Sequence, residues 1–62
     1  MKITLFIEDI VKGVDIHETE AACVPTIGEC VGGWDGFTYE VTGVKHELRG
    51  THHIATLYVK QR

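Results

Sequence analysis

The sequence has little of what usually announces chemistry. Its 62 residues include one proline, one tryptophan, one methionine and two cysteines. No apolar run approaches the roughly 18 residues of a membrane helix, so a helical span is excluded and no membrane partner is expected. No Ser-His-Asp order, glycine-rich phosphate loop or carboxylate pair is present, and no catalytic residue can be named. Repeats, low-complexity tracts and linkers are also missing, so residues 1–62 read as one domain. The opening MKITLFIEDI is interrupted by Glu8 and Asp9, which suits a strand better than a secretory leader. Two cysteines without a leader then imply a reducing cytoplasm. Cys23 and Cys30 are expected as free, small hydrophobes in a thin core, with a disulfide around VPTIGE as the alternative.

What is present is an ordinary globular composition, 44% hydrophobic and 24% charged, which argues against disorder. A chain this short buries only about 60% of its unfolded surface, leaving no volume for a deep water-excluding site. A non-enzyme without cofactor or metal is the expectation. The net charge of −3 is uneven. Eight acids against Lys2 and Lys12 leave residues 1–40 at −6, whereas residues 41–62 carry +3.

Periodicity is strand-like throughout. Ile3, Leu5 and Ile7 alternate with Lys2, Thr4, Phe6 and Glu8. Gly13 opposes a long helix in the next stretch, although ETEAA allows one short helical turn around residues 18–23. Pro25 ends that segment, Glu29 to Val31 form a short strand, and GGWDG is a loop with an Asp-Gly turn signal. Phe37, Tyr39 and Val41 alternate. The parity then flips at Thr42-Gly43 to Val44, His46 and Leu48, which requires one extra residue, a β-bulge. With Arg49-Gly50 as a two-residue turn, His46 faces His53 and Val41 faces Leu57; a four-residue loop puts His46 opposite Ile54 or His52. Five short strands and heavy bending predict an all-β fold, a small, strongly bent antiparallel five-stranded barrel.

The pattern Pro25-x-x-Gly28-Glu29-x-Val31, then Gly36-x-x-Tyr39-x-Val41-x-x-Val44 and a last alternating strand, resembles a group of small bacterial and phage single-domain proteins with an SH3-like β-barrel. The likeness covers residues 24 to 60. It implies the barrel, and it brings no catalytic residues.

Three constellations remain. His46, His53, Cys23 and Cys30 could supply four zinc ligands, but the cysteine spacing is not that of a zinc knuckle, and His52 and His53 must point to opposite faces. Rim histidines without metal are the expectation. Trp34, in a glycine-rich loop, is either a lid over the barrel mouth or, with Phe37, an exposed partner-binding anchor. Lys45, Arg49, His52, His53 and Lys60 could touch a nucleic-acid or nucleotide phosphate, yet the chain is acidic overall. The function expected is therefore a non-catalytic cytoplasmic protein-binding module, an adaptor or inhibitor docking on a bacterial or host protein or on a second copy of itself. The other readings are a weak nucleic-acid binder and a small structural phage component.

Overall fold

The computed structural model describes residues 2–62 as five strands: β1 (Ile3–Asp9), β2 (Val14–Ala21), β3 (Cys30–Gly32), β4 (Thr38–Arg49) and β5 (His52–Gln61). They form one sheet in the order β2-β1-β5-β4-β3, curled strongly into a half-barrel. The all-β, strongly bent architecture is the one the periodicity predicts. The short helical turn at residues 18–23 is not formed. That stretch continues β2 to Ala21, paired with Ile3, because the ladder satisfies backbone groups that one isolated turn would leave to water.

The sheet is mixed where an antiparallel one was expected. β1 and β5 lie side by side and run parallel, while the other three pairs are antiparallel. Direction reverses at each connection, so the first and last of five strands point the same way. Once they become neighbours they must pair in parallel.

Alternation decides the inner face. Ile3, Leu5 and Ile7 of β1, Tyr39 and Val41 of β4, and Ala55, Leu57 and Val59 of β5 form the buried core. Val41 and Leu57 are both fully shielded from solvent. Ladder rows cross the inside of the curl: Thr19, Leu5, Ala55 and His46 share one, and His17, Ile7, Leu57 and Val44 the next.

The expected bulge lies between Val41 and Gly43, where the Thr42 hydroxyl donates to the Tyr58 carbonyl at 2.9 Å. The final hairpin turns one residue later than expected. Arg49 pairs with His52 and Leu48 with His53, so Gly50-Thr51 form the turn, with Gly50 at φ +62°. Every partner beyond it moves by two: His46 faces Ala55 and Val41 faces Val59. A slip of two preserves which side chains point inward, so polarity alone cannot detect it.

Candidate functional site

The curl has an open seam, because β2 and β3 are the two edges of the sheet. At one end of the molecule aromatic rings bridge that seam. The His17 ring of β2 stacks on Trp34 with centroids 4.5 Å apart, and Trp34 stacks on Tyr39 of β4 at 5.4 Å, each pair within 3° of parallel. Trp34 is half-buried against the core. The lid reading of this residue describes its placement: it closes the fold by ring stacking where no backbone ladder crosses. Its Nε1 is buried and meets no acceptor among the described residues.

Asp35 ties this end together. The Tyr39 hydroxyl donates to Asp35 Oδ2 at 2.6 Å, and the Phe37 amide donates to Asp35 Oδ1 at 3.0 Å. The hydroxyl bond holds the Asp35 carboxyl below its ordinary range. The same bond, with burial and the negative charges of Asp35 and Asp9, pushes Tyr39 up to about 12. Phe37 itself stays outside, 53% exposed, with its amide bonded to Asp35 and the next residue, Thr38, paired with Gly32. Gly32 permits this arrangement, since a Cβ there would run into the Phe37 carbonyl.

The β1–β2 turn reaches the same end. Asp9, on the inner face, accepts from the Val11 and Lys12 amides at 2.8 and 3.2 Å through Oδ1, and its carbonyl accepts from Gly13. A buried carboxylate is thereby satisfied by the turn it shapes. Ile10, Val11 and Val14 around it are all exposed.

Between the edges, residues 22–29 cross the open side. Thr26 and Glu29 clasp each other: the Thr26 amide and hydroxyl donate to Glu29 Oε1 at 2.6 and 2.7 Å, and the Glu29 amide donates to the Thr26 carbonyl at 3.1 Å. Those bonds lower the Glu29 pKa. Gly28 at φ +96° supplies the left-handed corner, and Gly28 and Glu29 then pair by backbone with Val41. The Pro-x-x-Gly-Glu pattern is thus a self-closed turn docked on β4.

At the far end His46 and His53 meet, His46 Nδ1 lying 2.8 Å from His53 Nε2. They are diagonal neighbours on the inner face, not the facing pair expected. The cysteines do not join them. Cys23 and Cys30 are free and exposed rather than packed in the core, and the Arg62 guanidinium donates to Cys30 Sγ at 3.2 Å. With β3 only three residues long, its flanks cover little and leave Cys30 in solvent.

The basic set is divided. His53 faces the inside with Leu48, whereas Lys45 and Arg49 line a shallow outer groove with Phe6, Ile54 and Thr56. Arg49 is paired with Glu47 at 2.7 Å, and Lys60 lies across from Glu40. Sequence reasoning singled out Trp34 and Phe37 but missed Asp9, His17 and Asp35. The Asp-x-x-x-Tyr spacing around GGWDGFTY was a legible hint of the last. Nothing in the sequence links His17 to Trp34, because the sheet brings them together from opposite edges.

The grooves lined by Phe6, Lys45 and Arg49 and by Val24, Pro25 and Val44 are open to solvent among the described residues. No helix is long and apolar enough to cross a membrane among the described residues. Compared with known proteins, the chain matches no family model, no curated protein and no solved structure.

Proposed function

We propose that this chain is a non-catalytic, cytoplasmic protein-binding module, an adaptor or inhibitor that docks on another protein through the end bearing Phe37. The observation that carries this reading is an exposed aromatic side chain on a loop immobilised by Asp35. A ring presented in one fixed place loses little further freedom on binding, which favours it as an anchor. Ile10, Val11 and Val14 extend the apolar surface at that end. Asp15, paired with Glu8 beside the β1–β2 turn, and Asp35 in the loop put negative charge at that end, suited to a partner with a basic rim. Trp34 serves as the floor under the loop and not as the contact itself.

Affinity capture comparing Phe37→Ala with Leu48→Ala tests this. Phe37→Ala should lose the captured partner while keeping the native melt, and Leu48→Ala, exposed at the opposite end, should retain it. The reverse pattern would move the contact to the histidine end and end this reading.

The second reading, a weak nucleic-acid or nucleotide contact, is favoured by the outer groove that sets Lys45 and Arg49 beside Phe6. Glu47 and Glu40 already compensate Arg49 and Lys60, which weakens it. No binding of short oligonucleotides at about 50 mM salt would eliminate it, since phosphate contacts strengthen as salt falls.

A further inference from the structure

The histidine pair has a geometry that protein contact does not use. His46 Nδ1 and His53 Nε2 stand 2.8 Å apart, with the rings tilted 36° and their centroids 5.0 Å apart. Two imidazole nitrogens each about 2.0 Å from one cation stand about 2.8 Å apart if they meet it at a right angle, and about 3.3 Å apart at a tetrahedral angle. The observed separation is that of an N–H···N hydrogen bond between the rings, and it equals the span of a right-angled ligand pair. We propose that His46 and His53 form a bidentate site for a divalent transition-metal cation of tetragonal preference, copper(II) or nickel(II).

The site is built in advance. His46 sits opposite Ala55 and His53 opposite Leu48, so the β4–β5 ladder fixes both Cα positions and little chain entropy remains to be lost on binding. Ala55, fully buried and small, leaves the space above it to the His46 ring. On its other side His46 borders a groove formed by Val24, Pro25, Thr26, Ile27 and Val44. No third histidine, cysteine or carboxylate joins the pair among the described residues, so the remaining coordination positions go to water or to a small ligand.

In the metal-free pair one ring N–H is directed at the other ring's nitrogen lone pair. For the cation to enter, the donating ring moves that proton to its second nitrogen, and both lone pairs then bind metal. A neutral pair takes up the cation with no net release of protons. His52, adjacent in sequence but on the other face of β5, contributes nothing.

Titration of the full chain with copper(II) or nickel(II), each added alone at neutral pH, tests the site. One equivalent should bind, with a copper(II) spin-resonance spectrum showing tetragonal symmetry and nitrogen ligands. Paramagnetic broadening should centre on Ile3, Leu48 and Ala55 and spare the amides near Trp34. His46→Ala and His53→Ala should each weaken binding at least about tenfold by removing one arm of the chelate. His46→Gln, which keeps a polar side chain at an exposed position, should do the same with an unchanged melt. His52→Ala should bind as the parent does. A loss in His52→Ala equal to that in His53→Ala would assign the metal to the adjacent dipeptide and overturn the proposal. So would the absence of binding at millimolar metal.

Discussion

The two ends of this half-barrel close the same curled sheet by different means. At the aromatic end three rings span the seam between edges, and one carboxylate fastens the Tyr39 hydroxyl and the amide of Phe37 in the loop. At the histidine end two rings also meet across strands, but His46 is exposed, and Leu48 beyond them is 75% exposed. The contacts look alike as pairs of rings and differ in what surrounds them. Stacked rings packed on a core exclude water and hold the fold, whereas a pair with one ring in solvent contributes less to stability. One end is therefore structural at its base and the other is chemically open.

The sharpest way to break this contrast is Trp34→Ala. Removing the middle ring severs the bridge between β2 and β4 and should cost about 3 kcal/mol in a urea melt. A loss below about 1 kcal/mol would make the aromatic end as dispensable as the other. Trp34→Phe refines the point, since it keeps a stacked ring and removes the unpartnered Nε1; it should recover most of the lost stability.

Tyr39→Phe comes next, with a smaller loss than Trp34→Ala because only the hydroxyl bond to Asp35 disappears. The parent has a matching pH signature. Tyr39 is pushed up to about 12 from its ordinary 10.0, so its contribution is complete below pH 10 and is lost as pH rises toward 12. Difference absorbance of the phenolate should show Tyr39 ionising in that range. Titration at its ordinary value would mean that the bond to Asp35 does not persist in solution.

Glu29→Gln has a milder effect, confined to the crossing turn. Glu29 is held below its ordinary 4.5, so its contribution is complete above that value and vanishes as pH falls below it. Thermal melts of parent and variant should differ by a few degrees at neutral pH and converge in acid. A gap that persists in acid would show that charge on Glu29 is not what holds the turn. The smallest effect belongs to His46→Ala, expected within about 0.5 kcal/mol as at other exposed positions. A larger loss would make the histidine end structural as well.

Much of the fold was legible because it follows from alternation. Ile3, Leu5 and Ile7 identify the inner face of β1, and the parity flip at Thr42-Gly43 locates the bulge without any structure. The pairing of β1 with β5 was hidden, since hydrophobic pattern states which side a residue faces and not which strand lies beside it. The hairpin slip was hidden for a related reason: Arg49-Gly50 and Gly50-Thr51 are both acceptable turns, and both turn the same side chains inward. The strand at residues 18–21 lost to a helical expectation because ETEAA favours a helix locally, while the ladder with β1 is a long-range gain. Phe37 and Trp34 stood out by composition alone, but their division into exposed anchor and half-buried floor depends on His17 and Tyr39 stacking on Trp34 while Asp35 holds the Phe37 amide.

By itself the sequence determined that the chain would make bent strands with one apolar face, because a period of two and a bulge are local properties. The tertiary structure decided what meets across the seam. His17, Trp34 and Tyr39 come from separate segments, and so do His46 and His53. Their spacing is set by how β2 and β3 end up as opposite edges and by a register that polarity could not fix.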